Sequence, residues 1–243
     1  MRIITVPCLQ DNYAYLVISG AECAVVDPSE PEPVLAALKR EGLILTHILN
    51  THHHGDHTGG NRALKAAFGA LVVGPEADAA RIPGIDIGVG EKGDWEFGGH
   101  KVRVLEVPAH TRGAITFVIE GNAFTGDTLF VMGCGRLFEG DAAMMHNSLG
   151  KLAALPDETK IWCGHEYGAN NGRFALTLEP GNKALQAKMK SLPRPSVPST
   201  LAEEKATNPF LRTDSAEIRK ILGMEKADAA SVFAEIRSRK DRF

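Results

Sequence analysis

The chain has 243 residues, 44% of them hydrophobic and 23% charged, with a formal net charge of −3 at pH 7, which allows one large domain or one domain with a small appendage. No apolar run approaches the roughly 18 residues that span a bilayer, and residues 1–6 enter a strand pattern with no apolar leader or cleavage site, so neither a membrane partner nor export is expected. Cys8, Cys23, Cys134 and Cys163 are scattered without C-x-x-C spacing, which predicts a reduced, cytoplasmic protein and not a disulfide scaffold.

In chain order, residues 3–6, 13–18 and 23–28 read as three strands separated by turns at Asp11-Asn12 and Ser19-Gly20, a β-meander. Residues 33–40, with Val34, Leu35 and Leu38 on one face, predict a short helix stopped near Gly42. An apolar strand over 43–50 then delivers the stretch Thr51-His52-His53-His54-Gly55-Asp56-His57. A helix over 62–68, closed by Gly69, and a strand at 71–73 follow. Residues 82–100 are Gly-rich and predict turns and a hairpin, with Trp95 and Phe97 on one side.

A strand over 102–107 ends at His110, a hairpin over 115–125 turns at Gly121-Asn122 and ends at Asp127, and a strand at 161–163 ends at His165. Residues 144–154 predict a helix. From about Gly168 strand patterns vanish, and 182–190, 214–221 and 228–240 carry helical spacing around a Pro-rich segment at 193–198. This divides the chain into a β-rich body, 1–167, and a small helical domain, 168–243. Charge follows the division approximately. Residues 1–180 hold 14 Lys and Arg against 22 Asp and Glu, a net −8, whereas residues 181–243 hold 13 against 8, a net +5. A basic tail suits a nucleic-acid patch, a solvated helical face or a seat for a small anion; without Lys/Arg runs or interleaved aromatics, nucleic acid is not an expected partner.

Four histidines and an aspartate in one short internal stretch point to a metal site, because neutral imidazole and carboxylate are the N and O ligands of zinc, iron and manganese. His52 and His54, two apart, share a side of an extended segment, while Asp56 and His57 must reach elsewhere, so one loop can feed two neighbouring ions. An incidental His-rich tract or a purification tag fits poorly with an internal position, interspersed Asp and Gly, and a preceding strand. Taken singly, His110, Asp127 and His165 each read as satisfied structural residues. Placed at three strand ends after this loop, they read together as ligands. In the last predicted helix Ala229, Val232, Phe233 and Ile236 form a stripe; Lys240 lies on its extension, Arg237 flanks it and Arg242 points away. Asp27 is either a partner of a ligand histidine or a turn cap before Pro28, and Cys134 reads as packed. His47, His53, His100 and His146 are left as non-ligands.

The ordered set His52-x-His54-x-Asp56-His57, His110, Asp127, His165 resembles the metallo-β-lactamase superfamily. Gly59-Gly60-Asn61, Gly126-Asp127-Thr128-Leu129-Phe130, Gly133-Cys134-Gly135-Arg136, Gly164-His165-Glu166-Tyr167, Glu179-Pro180-Gly181-Asn182, Asn208-Pro209-Phe210-Leu211-Arg212 and Arg239-Lys240-Asp241 resemble one branch of it, the hydroxyacylglutathione hydrolases or glyoxalase II. The resemblance implies an α/β (α+β) fold, an αββα four-layer sandwich with a C-terminal helical domain. It implies two divalent metal ions, zinc by preference with iron or manganese as alternatives. His52, His54 and His110 would hold one ion, Asp56, His57 and His165 the other, and Asp127 would bridge them. Water activated between the ions would attack a thioester carbonyl, with Asp56 or Asp127 as the catalytic carboxylate. Arg136, Phe138, Tyr167, Arg237 and Lys240 match substrate positions; this chain departs from the pattern in carrying Phe138 where a tyrosine can stand and Arg136 where lysine is also used. The implied reaction is hydrolysis of S-D-lactoylglutathione to glutathione and D-lactate, the second step of methylglyoxal detoxification, by a monomer. The alternatives are a single-iron glutathione-persulfide dioxygenase, set apart by lacking such a tail, and other hydrolases of the superfamily.

Overall fold

The computed structural model describes residues 1–93 and 95–243; Asp94, within the segment expected to hold a hairpin, lies outside the described residues. The first sheet begins with β1 (Arg2–Cys8), β2 (Asn12–Ser19) and β3 (Glu22–Val26), antiparallel as the meander predicts. After α1 (Pro31–Glu41), β4 (His47–Leu49) adds in parallel. α2 (Gly55–Thr58), α3 (Asn61–Phe68), β5 (Leu71–Pro75), a 3-10 turn (Glu76–Arg81) and β6 (Ile87–Val89) follow, with β5 and β6 also parallel. The strand expected over 43–50 is shorter than its apolar run. Gly42 adopts φ 65° as the cap of α1, and Leu43 N is spent on Leu38 O at 3.0 Å, so these residues close the helix before the ladder begins.

The second sheet has the order β14-β13-β10-β9-β8-β7. β7 (Trp95–Phe97) and β8 (His100–Glu106) form a hairpin that is not contained in 82–100 as expected, because its second arm is the strand read at 102–107; β9 (Ile115–Ile119) and β10 (Asn122–Gly126) form the next, and β11 (Leu129–Phe130) with β12 (Gly133–Cys134) a small separate ribbon. α4 (Ala142–Ala153) starts two residues ahead of its apolar pattern because Asp141 caps it, accepting from Met144 N. β13 (Lys160–Cys163) then runs parallel to β10.

The tail contains α5 (Gly168–Leu178), α6 (Lys183–Lys190), β14 (Ser199–Thr200), α7 (Leu201–Thr207), a 3-10 turn (Pro209–Leu211), α8 (Ala216–Leu222) and α9 (Ala229–Asp241). The tail is not purely helical, since β14 extends the second sheet antiparallel to β13. Along β2 and β3 the period of two splits the strands: Tyr15, Val17, Ala24 and Val26 enter the core between the sheets, and Ala14, Leu16, Cys23 and Val25 pack under α1 and α3. The outer face of the second sheet packs against α4, α5 and α9, with Leu105, Ala123 and Ile161 meeting Leu149, Phe174, Val232 and Phe233. The layers are therefore αββα, and the clusters on the two faces of the second sheet each draw residues from both sides of the division drawn at 167/168. Among the described residues no helix is long and apolar enough to cross a membrane.

The Glu179 and Arg212 motifs meet inside the tail. Glu179, only 2% exposed, receives Arg212 Nε at 2.7 Å and Nη2 at 2.9 Å, along with Asn182 Nδ2 at 3.2 Å. Arg212→Ala strands a buried carboxylate, so it is expected to lower the unfolding free energy by about 3 kcal/mol in urea denaturation. A loss below about 1 kcal/mol would mean that the remaining donors suffice.

Candidate active site

β8, β10 and β13 share a direction, because β8 and β10 are both antiparallel to β9 and β13 is parallel to β10. Their C-terminal ends, and that of β4 in the facing sheet, bring His110, Asp127, His165 and the 52–57 loop to one edge. Within that loop a single helical turn does the sorting. His57 N and Thr58 Oγ1 both donate to His54 O, at 3.0 and 3.1 Å, so Asp56 Oδ2 and His57 Nε2 turn toward His165, although the His57 ring stays 4.2 Å from that of His52. Gly164 leaves room for the result: a Cβ there would sit 2.5 Å from Asp127 Oδ1 and 2.6 Å from His57 Cε1.

Two groups form. His54 Nδ1 lies 3.1 Å from His52 Nε2 and 3.0 Å from His110 Nε2. His57 Nε2 lies 3.3 Å from His165 Nε2, and Asp56 Oδ2 is 3.6 and 3.5 Å from those two nitrogens. Asp127 stands between the groups, Oδ2 at 3.4 Å from His110 Nε2 and 3.3 Å from His165 Nε2, Oδ1 at 3.4 Å from His57 Nε2. Ligand atoms about 2.0–2.2 Å from a common ion are themselves about 3 to 3.5 Å apart, and these separations match that spacing.

The outer ring nitrogens strengthen the case for cations. His57 Nδ1 faces Asp27 Oδ2 at 3.1 Å, His165 Nδ1 faces Asp11 Oδ1 at 2.9 Å, and His110 Nδ1 faces Arg136 O at 3.0 Å. Those oxygens only accept, so each ring donates outward and turns its Nε2 lone pair inward. Lone pairs of His57 and His165 then face each other, and the buried Asp127 Oδ1 has no hydrogen-bond partner. Both are costly unless positive charge lies between them. The electrostatics of the buried groups make the same demand. Burial opposes a charge on His57, yet Asp127 and Asp27 push it up to about 9. Burial likewise opposes ionisation of Asp127, but His57 and His165 hold it well below the usual carboxylate range. Burial, with His57, His110 and other rings nearby, keeps His52 well below its ordinary value and brings His54 down to about 4; these are neutral rings, the form that binds metal. The donor set fits two divalent cations.

Asp27 proves to be the partner of a ligand-type histidine, and it also accepts from Thr51 N at 2.8 Å and Thr51 Oγ1 at 2.6 Å. Asp11 and Asn12, read from sequence only as a turn, reach the site as well; Asn12 Nδ2 donates to Asp56 O at 3.0 Å and Oδ2 at 3.1 Å. Nothing in the periodicity marks them, since only the pairing of β1 with β2 carries that turn to the edge. His47, His53, His100 and His146 belong to neither group: His53 pairs with Asp78 at 3.0 Å, and His100 with Glu120 at 3.2 Å.

The groups open into a cleft of about 470 Å³ whose walls include Arg136, Phe138, Tyr167, Arg237 and Lys240. Tyr167 stacks on His165, centroids 4.8 Å apart and nearly parallel, and burial pushes its hydroxyl up to about 12. Phe138, 60% exposed, stands 5.2 Å from the His110 ring and 5.8 Å from His54. Arg237 is more deeply placed than a residue flanking the stripe. It is 5% exposed and holds Cys134 O at 2.9 Å and Asp241 Oδ1 at 2.8 Å. Lys240 is half-buried. Cys134 is packed, its thiol pushed up to about 11 by burial.

An αββα sandwich with a paired His/Asp cluster at one edge defines the metallo-β-lactamase class, and the sequence profile of that superfamily matches residues 10–165. The profile described as hydroxyacylglutathione hydrolase C-terminus matches residues 166–243. Proteins named hydroxyacylglutathione hydrolase are 51% identical in Methylococcus capsulatus and 52% identical in Cereibacter sphaeroides, each alignment covering 100% of this chain and 99% of the relative. The chain belongs to the hydroxyacylglutathione hydrolase family. Among solved structures, ETHE1 from Myxococcus xanthus superposes with a TM-score of 0.69 at 26% identity, covering 99% of this chain and 98% of that one. Within the tail it is the family match over residues 166–243 that identifies the branch of the superfamily.

Proposed function

We infer that this enzyme hydrolyses the thioester of S-(2-hydroxyacyl)glutathione, releasing glutathione and a 2-hydroxy acid. S-D-lactoylglutathione is the proposed substrate, and removal of methylglyoxal the proposed setting. One observation carries the reading: the paired His/Asp cluster and a group of cations without full acid partners share a single cleft, as a thioester with an anionic peptide tail requires. We assign His52, His54 and His110 to one divalent cation, Asp56, His57 and His165 to the other, and Asp127 to both, with zinc proposed and iron or manganese compatible with the same donors. When bound, two such cations polarise the thioester carbonyl and make water acidic enough to react near neutral pH.

The side chains supply the rest. Asp56 and Asp127 both line the cleft, and Asp56 is the more open of the two, its side chain 42% exposed against 10% for Asp127. Asp127 gives its oxygens to both groups, Oδ2 toward His110 and His165 and Oδ1 toward His57. Asp56 Oδ2 therefore takes the proton of the attacking water, steadied by Asn12. The leaving thiolate needs no strong acid. Tyr167 and Arg136 orient the peptide, Phe138 walls the metal end, and Lys240, beside Arg237, receives a carboxylate of glutathione. Thiol release from S-D-lactoylglutathione, with metal analysis of the same sample, tests the reading; a preparation holding two ions per chain that leaves this substrate intact would overturn it.

Lys240→Ala removes binding remote from the reacting bond, so KM is expected to rise about tenfold or more with kcat within about threefold. A pH dependence follows from the same residue. Burial, then Arg237, Arg173 and Arg136, lower the Lys240 ammonium to about 8, opposed by Asp241. The charged form that attracts an anion exists below that value. Calorimetric binding of S-methylglutathione, which has no free thiol to titrate, should be steady below pH 8 and weaken above it. In Lys240→Ala the weakening should vanish; if it persists, another group is responsible.

A further inference from the structure

The end of α9 doubles back on itself. Arg242 N donates to Arg239 O at 3.2 Å and Phe243 N to Lys240 O at 3.3 Å, a last tight turn that returns Phe243 to the helix end. Its ring meets that of Phe174 from α5 with centroids 5.4 Å apart and planes at 63°, and the two form an open V. Lys240 Nζ lies in the V, 5.4 Å from the Phe174 centroid and 5.1 Å from that of Phe243. Phe174 belongs to the core at 2% exposure, whereas Phe243 is 57% exposed and lines the cleft beside Lys240. Packing does not account for so open an aromatic ring at the mouth of a binding site.

The surroundings of Lys240 do. The nearby acids of α9 are engaged elsewhere, Asp241 with Arg237 at 2.8 Å and Glu235 with Arg239 at 2.7 Å. Neighbouring guanidiniums repel the ammonium, and a side chain with this much freedom would swing into solvent. An acidic partner would hold it in place but would compete with an incoming carboxylate. An aromatic face attracts the ammonium through its quadrupole and leaves the charge available.

We propose that Phe243 is a positioning residue for substrate binding, its ring and that of Phe174 holding Lys240 Nζ toward the cleft for the carboxylate of the peptide moiety. The proposal rests on the glutathione reading above, and the two can fail separately. The experiment measures KM and kcat for S-D-lactoylglutathione in Phe243→Ala, Phe243→Leu, Phe243→Tyr, Lys240→Ala and the Phe243→Ala/Lys240→Ala double variant, together with binding of S-methylglutathione and its glycine amide. Phe243→Ala is expected to raise KM about three- to tenfold with kcat within about twofold. Phe243→Tyr should restore wild-type KM, while Phe243→Leu, apolar but without a quadrupole, should resemble the alanine variant. In the Lys240→Ala background the second substitution should add nothing, and Phe243→Ala should weaken S-methylglutathione but not the amide. A leucine variant equal to wild type, or fully multiplicative effects in the double variant, would overturn the proposal. If Lys240→Ala raises KM and Phe243→Ala does not, this inference alone fails; if Lys240→Ala itself leaves KM unchanged, the assignment of the cationic end of the cleft fails with it.

Discussion

Asp127→Ala is expected to abolish thioester hydrolysis, by more than about a thousandfold, and to reduce metal content from two ions per chain to at most one. The geometry sets the scale. Among the described residues Asp127 is the one side chain whose two oxygens address both groups, Oδ2 toward His110 and His165 and Oδ1 toward His57. It is also buried, so water cannot replace it at low cost, and its Oδ1 has no protein partner to compensate for losing an ion. Removing it takes anionic charge from between two cation sites and leaves three imidazole lone pairs converging on a neutral gap. Asp127→Asn offers a sharper comparison, because it keeps the shape but only one carbonyl oxygen and no charge, and should retain one ion at most. Metal analysis and circular dichroism on the same samples separate loss of ions from loss of fold. Two-ion stoichiometry in either variant would refute the bridging assignment.

Asp27→Ala is expected to cost about ten- to a hundredfold in metal affinity or activity although Asp27 stands behind the His57 ring, on its Nδ1 side. Its carboxylate accepts from His57 Nδ1 at 3.1 Å while receiving both the amide and the hydroxyl of Thr51. One buried acid thus fixes the ring's tautomer and the first residue of the loop that carries four of the seven ligand-type groups. Alanine leaves the Thr51 N–H and one His57 N–H buried without an acceptor, a further loss of about 1–3 kcal/mol in stability. Titrating metal-free protein with zinc measures the first effect, and thermal unfolding the second. An unchanged zinc affinity would show that His57 is held by packing alone.

Several of these residues are legible in the sequence, and others are not. The 52–57 loop carries its chemistry in residue type and spacing, and His110, Asp127 and His165 stand out because each follows a strand. Asp11 and Asn12 look like any turn, since a polar pair between strands has no feature that distinguishes a site from solvent. Asp27 was balanced between two roles until the pairing of β3 with β4 set it under Thr51. α5 was missed for a different reason. Its stretch Gly168-Ala169-Asn170-Asn171-Gly172 has poor helix propensity, and it is helical because Phe174, Ala175 and Leu178 are buried against the body. α7 also escaped notice, although Thr200 and Glu203 form a capping box that the sequence displays.

From the chain alone came what depends on local order: the alternation that makes strands, the caps that start helices, and a set of ligand-type side chains whose chemistry admits few uses besides metal binding. Tertiary structure alone decided that Asp11 and Asn12 back the ligand-type groups, which of Arg237 and Lys240 keeps its charge free for a ligand, and how Phe243 comes to lie beside that charge. Donor type is a property of single residues. Separations of about 3 Å among atoms from four distant loops, and the burial that makes an unpaired charge costly, arise only when two sheets pack and bring their strand ends to one edge.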